Sequence, residues 1–329
     1  MFKKSCMFQL AAAFALFVVL AAPALAKEKA KGTHKAVAEF DFKKTSAFIK
    51  EMEGRPDFPV ATVIANDYVY TLLAMGEKID AGRQNAIILA TKLAQQKNGG
   101  FTPDKSNKNG SILYTDIALE TLALLDANNA IDRTKVKTFA ASLKNADGGF
   151  GFSPEAKKSS LATTYYAVHV LKGVNGLDAV DKAKTVEYVK GFAKKEGGFG
   201  PEKGAGVANA RSTYMAAYVL NALGAMDEAT AKKAVQFLEK TPYLDKKSKE
   251  RPELDEQLYA IRALKEVAAG NRVDKAIALN FMKRLYIKVN GGFGPLEGYG
   301  STPDSTTTAL RILSEIGKAK GGIPLVAKR

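Results

Sequence analysis

The stretch Gln95-Gln96-Lys97-Asn98-Gly99-Gly100-Phe101 is where the fold declares itself, because its last three residues return at a fixed interval. Gly-Gly-Phe recurs at Gly148-Gly149-Phe150, Gly197-Gly198-Phe199 and Gly291-Gly292-Phe293, with phenylalanine spacings of 49, 49 and 94. The last interval is almost two units, so a degenerate copy is expected near Tyr243, which stands 44 residues after Phe199 and 50 before Phe293. A sixth, also degenerate, opens at Arg55-Pro56-Asp57-Phe58. A period of this length is the mark of a repeat architecture. The paired glycines allow a sharp turn between helices, and the aromatic is expected to tuck into the helix–helix seam.

Working outward from each turn, a helix-period segment precedes it and another follows. The following segments share an apolar anchor: Leu72, Leu122, Leu171, Leu220, Leu264 and Leu313. Small or apolar residues recur four and three positions before it and three after, which is one face of an α-helix. The preceding helices are placed at 36–51, 81–96, 132–143, 179–194, 228–240 and 273–288. The following ones are placed at 61–75, 113–126, 160–173, 210–224, 253–268 and 304–317. No strand-like alternation is evident. Six equal hairpins without capping repeats favour closure, so the expected fold is all-α, an (α/α)6 toroid over 36–317.

The N-terminus reads differently. Lys3 and Lys4, an apolar run over Met7–Ala22 and Ala24-Leu25-Ala26 make the three parts of a secretory signal peptide, 1–26. The run is shorter than the roughly 20 residues a spanning helix needs, so no membrane anchor is expected after cleavage and the location is periplasmic or secreted. A polar segment, 27–35, follows, and 318–329 is a C-terminal tail. The one cysteine, Cys6, leaves with the signal, so no disulfide is available. Net charge falls from +15 to +13 with Lys3 and Lys4. Lysines cluster at 182, 184, 190, 194 and 195 and at 240, 246, 247 and 249. A solvated surface is the simpler account, and contact with an anionic envelope polymer or acidic glycan the further one. With no Trp and no Arg-rich stripe, nucleic acid is not an expected partner.

Gln95-Gln96-Lys97-Asn98-Gly99-Gly100-Phe101, Asp147-Gly148-Gly149-Phe150 and their copies resemble the prenyltransferase/squalene-oxidase repeat, over about residues 36–317. The resemblance implies the ring of protein prenyltransferase β-subunits and terpene cyclases; it does not fix a reaction. It also locates the family's site positions. Where it puts the zinc-binding Asp and Cys, this chain has Asp255 and Gln257. Pro303-Asp304-Ser305-Thr306-Thr307 resembles the segment with the zinc His, and Thr307 stands in that slot. A zinc site needs three or four ligands, so no metal or other cofactor is expected. Asp304 matches the first residue of the cyclase Asp-x-Asp-Asp acid, whose last two positions are Thr306 and Thr307.

Helix phase then predicts which residues face the ring's centre. Two positions before each anchor stand Tyr70, Glu120, His169, Tyr218, Arg262 and Arg311. Six before stand Asn66, Asp116, Tyr165, Tyr214, Leu258 and Thr307; five before, Asp67, Ile117, Tyr166, Met215, Tyr259 and Thr308; nine before, Arg211, Asp255 and Asp304. Charges are not placed on a merely buried second face, so these are expected to line a wet central cavity. They could equally neutralise one another across it, and His169 could be a structural histidine; His34 lies in the polar segment.

Two functional classes follow. One is a binding protein whose cavity, rimmed by Tyr70, Tyr165, Tyr166, Tyr214, Tyr218 and Tyr259, takes an amphiphilic lipid, isoprenoid, glycan or peptide. The ligand-binding set is Tyr70, Tyr165, Tyr214, Tyr218 and Tyr259 with Asp116, Glu120, His169, Arg211, Asp255, Arg262 and Arg311. The other is an enzyme, either divergent prenyltransferase- or cyclase-like, as the repeat implies, or similar by fold analogy to toroid polysaccharide lyases. In the lyase case Arg262 or Arg311 neutralises a uronate and His169 or a neighbouring tyrosine is the base. The catalytic candidates are therefore His169, Asp304, Tyr166 and Arg262.

Overall fold

The computed structural model describes residues 40–103, 109–204, 206–241, 253–319 and 321. The expected signal peptide 1–26, the segment 27–35 with His34, the degenerate turn at Tyr243, Lys246, Lys247 and Lys249, and nine residues of the tail 318–329 lie outside the described residues.

Twelve helices are described, and no strand is found among the described residues. The outer set is α1 (Phe42–Lys50), α3 (Ala81–Ala94), α5 (Arg133–Ser142), α7 (Lys182–Lys190), α9 (Glu228–Leu238) and α11 (Lys275–Leu285). The inner set is α2 (Thr62–Ala74), α4 (Ile112–Leu124), α6 (Leu161–Gly173), α8 (Ala210–Ala222), α10 (Leu254–Glu266) and α12 (Pro303–Glu315), all of 13 residues. Each inner helix packs on the next, and α12 packs on α2, so the inner ring is closed. The outer layer closes too: Thr45 Oγ1 donates to the Gly291 carbonyl at 2.7 Å, and the Asp41 N–H donates to the Tyr286 hydroxyl at 2.9 Å. No described helix is long and apolar enough to cross a membrane.

Local chemistry explains the helix starts. Every outer helix begins on an aspartate whose carboxylate accepts first-turn N–H groups: Asp41, Asp80, Asp132, Asp181, Asp227 and Asp274. Such a cap contributes about 1 kcal/mol. Ser111, Ser160, Asn209 and Thr302 serve four inner helices in the same way.

The turns work as the repeat predicts, with one addition. Gly99 sits at φ 94°, and a Cβ there would lie 2.2 Å from the Lys135 carbonyl; one on Gly100 would lie 2.6 Å from the Phe139 ring. The turn therefore docks flat on the next outer helix. Phe101, Phe150, Phe199 and Phe293 are at most 2% exposed. Their backbone N–H groups donate to Thr115, Thr164, Thr213 and Thr306 at 3.0–3.1 Å. Each threonine hydroxyl in turn donates to the carbonyl of its cap residue at 2.7 Å. These threonines lie seven positions before the anchors. Gln257 holds that place in α10, 1% exposed, next to the stretch outside the described residues.

Candidate functional site

The six anchor leucines are fully buried, which sets the phase of every inner helix. The residues two before them meet across the ring and not only between neighbours. Arg311 on α12 reaches past α2 to Glu120 on α4, with Nη1 and Nη2 donating to the two carboxylate oxygens at 2.6 and 3.1 Å. The same guanidinium donates to Asn66 Oδ1 at 2.9 Å and lies 4.0 Å from the Tyr70 ring centroid. Burial opposes ionisation of Glu120; the charge and hydrogen bonds of Arg311 outweigh it and hold the carboxyl at about 2. Both Arg262 and His169 also act on Glu120. Side chains from α4, α6, α10 and α12 thus converge on one axis.

The rest of this level is equally committed. His169 Nδ1 pairs with Asp116. Its ring stacks on Tyr165, with centroids 5.7 Å apart and planes 9° apart, and meets Tyr218 edge-on at 5.2 Å. Lys172 Nζ lies 5.3 Å from the Tyr218 centroid. Tyr165 and Tyr214 share a hydroxyl hydrogen bond of 3.3 Å. Arg262 Nε donates to Glu315 at 3.0 Å and lies 6.0 Å from the Tyr214 centroid. Tyr70, Tyr165, Tyr214 and Tyr218 are buried, 6–8% exposed.

Toward the N-terminal ends of the inner helices the axis is more open. Asp255 and Asp304 are exposed, and Arg211, Tyr166 and Tyr259 half-buried. Arg211 lies 5.4 Å from the Tyr259 centroid; Tyr259 in turn faces Tyr214 at 5.8 Å. Although Asp304 is exposed as a residue, partial desolvation of its carboxyl first, and the charge of Asp255 second, push it up. Asp67 lies between the levels, buried on α2. Burial first, and the charge of Asp304 second, raise it to about 7, against the pull of Arg311.

All twelve residues of the predicted binding set therefore sit on inner helices, and those two before the anchors cluster about the axis. Their pairings differ in part from the expected charge balance. Glu120 and Asp116 do meet Arg311 and His169. Arg262 pairs instead with Glu315, which stands two positions after the α12 anchor and so off the rows that helix phase directs at the axis. Asp67 stands apart from its row as a distinct buried carboxyl, and its sequence signal is an acid five before an anchor. The donor set does not fit zinc. Thr307 is 2% exposed and shares a 2.9 Å hydroxyl contact with Thr71, Gln257 is a neutral amide, and Asp255 alone remains. Among the described residues no three His, Cys, Asp or Glu side chains gather as metal ligands do.

Twelve helices in two concentric closed layers, with polar and aromatic side chains meeting on the axis, define an α/α toroid. The prenyltransferase alpha-alpha toroid domain matches residues 68–241, just over half of the chain, and the protein belongs to that family. The backbone is similar to protein geranylgeranyltransferase-I of Candida albicans, solved with GGPP (TM-score 0.72, 14% identity, covering 88% of this chain and 96% of that one). It is also similar to the type II terpene cyclase MstE of Scytonema without ligand (TM-score 0.56, 15% identity, 84% and 96% covered). A variant of that cyclase holding geranylgeranyl dihydroxybenzoate gives a TM-score of 0.57 at 16% identity, with 84% and 96% covered. Identities this low establish the fold alone. No curated protein matches the sequence.

Proposed function

We propose that this toroid is exported and binds an amphiphilic ligand with an isoprenoid-like tail at the N-terminal end of its axis. The observation that carries the reading is the half-buried group of Tyr166, Tyr259 and Arg211 above the buried tyrosines. Aromatic faces with polar tips suit a ligand that is apolar at one end and wet at the other. The two structural neighbours named above carry GGPP and a geranylgeranyl dihydroxybenzoate, which favours an isoprenoid tail over a glycan.

A divergent prenyl-chemistry enzyme is the second reading, and Asp67 favours it. A buried carboxyl held near 7 keeps a proton available at neutral pH. The lyase reading is weakened by geometry, because Arg262 and Arg311 are already neutralised by Glu315 and Glu120. Contact of the lysine-rich outer wall with an anionic polymer is likewise a proposal. It is tempered by pairing, since Lys184 and Lys190 already face Asp181 and Asp227.

The test is mass spectrometry of protein purified from its native source. An isoprenoid amphiphile in the extract and an intact mass beginning at Lys27 are expected. A glycan fragment, or no small molecule with the signal retained, would overturn the reading.

A further inference from the structure

Three arginines reach the axis, and their surroundings differ. Arg311 is tied to both oxygens of Glu120, to Asn66 and to the face of Tyr70. Arg262 is tied to Glu315. Each of these charges is neutralised in place. Arg211 is not. It is half-buried, with the Tyr259 ring centroid 5.4 Å away, and it forms no ion pair with a described carboxylate, although the charge of Asp255 acts on it from farther off. Withdrawing a guanidinium from water without a counter-ion is costly, and the face of Tyr259 offsets part of that cost here.

We propose that the ligand's head group is a single negative charge, a carboxylate, seated on Arg211 between Tyr166 and Tyr259. This rests on the ligand-binding reading above. A guanidinium carries five N–H donors in a planar fork. With no carboxylate on that fork, its edge matches the two oxygens of a carboxylate.

Charge balance argues against a diphosphate head in the same place. Asp255 and Asp304 stand in the first turns of their helices, as Arg211 does in its own, and would repel the further charges of a diphosphate. Asp304 feels this directly, since Asp255 helps to raise its carboxyl. One guanidinium offsets one charge. A diphosphate brings about three at neutral pH and needs cations on several sides. The other two axial arginines are committed to glutamates. From Arg211 the tyrosines continue inward through Tyr259 and Tyr214, whose rings lie 5.8 Å apart, giving the tail an aromatic wall.

Three probes with the same tail separate the possibilities: farnesoate, farnesol and farnesyl diphosphate, titrated calorimetrically into the mature chain at fixed ionic strength. Farnesoate is expected to bind at least tenfold more tightly than either of the others. Arg211→Gln should bring the farnesoate-to-farnesol ratio close to one, and Arg211→Lys should restore part of it. Circular dichroism confirms that each variant is folded. Tightest binding by the diphosphate, equal binding of farnesoate and farnesol, or an unchanged ratio in Arg211→Gln overturns the head-group assignment while leaving the binding site standing. Failure of all three probes to bind overturns the binding reading and the assignment with it.

Discussion

The two ends of the ring's axis are built from the same six helices and serve different ends. At the C-terminal level the axial side chains are paired: Arg311 with Glu120, Arg262 with Glu315, and the His169 ring with Asp116. At the N-terminal level Arg211, Asp255 and Asp304 stand exposed or half-buried without such pairs among the described residues. A closed ring of short helices leaves its centre poorly filled by apolar packing alone. Cross-axis ion pairs and stacked rings join the helices at one end, which leaves the other free to carry chemistry. Cross-axis pairing is thus graded along the helices and not between repeats.

The sharpest break of that comparison is Glu120→Ala. It strands a guanidinium whose side chain is 13% exposed, and an unpartnered charge of this kind costs about 3–5 kcal/mol. Urea unfolding should show the loss. Because the penalty belongs to the orphan and not to the missing contact, Glu120→Met combined with Arg311→Met should recover much of it. Equal instability of the single and double variants would show that the C-terminal level is not held by this pair.

Asp67 lies at the boundary, and its effect is read through pH. Its folded carboxyl titrates at about 7, against an ordinary value of 3.8. The folded state therefore binds this proton more tightly than the unfolded chain. That contribution to stability is full below pH 4 and is lost as pH rises through 7. Asp67→Asn removes the titration. Its stability relative to the parent should improve by about 2–4 kcal/mol between pH 4 and pH 8. A flat difference across that range would place Asp67 in water and erase the boundary.

The frame of this molecule was legible and its wiring was not. Four copies of Gly-Gly-Phe and six leucine anchors suffice for twelve helices and their phase, because both report on local periodicity. The partner of Arg262 was missed because Glu315 belongs to a neighbouring helix and a different offset, and nothing local couples them. The threonines below each phenylalanine were missed for the opposite reason. Thr115, Thr164, Thr213 and Thr306 repeat faithfully, but their role is to accept a backbone N–H, which no composition rule announces. The aspartate starting every outer helix is the one recurring signal a capping scan could have found. That the axis is closed by pairing at one end required coordinates, since phase gives a side chain's direction but not how far it reaches.

The smallest expected effect is the most discriminating. Asp304 is exposed, makes no ion pair with a described residue, and occupies the first turn of α12. Asp304→Asn removes a favourable helix-dipole interaction of about 0.3–1 kcal/mol, and it also removes repulsion from Asp255. The two changes oppose each other, so unfolding should shift by no more than about 0.5 kcal/mol. If the N-terminal level is a binding surface, it tolerates this substitution without structural cost. A loss above about 2 kcal/mol would mean that Asp304 supports the ring as Glu120 does, and the axis would then have no end free of structural duty.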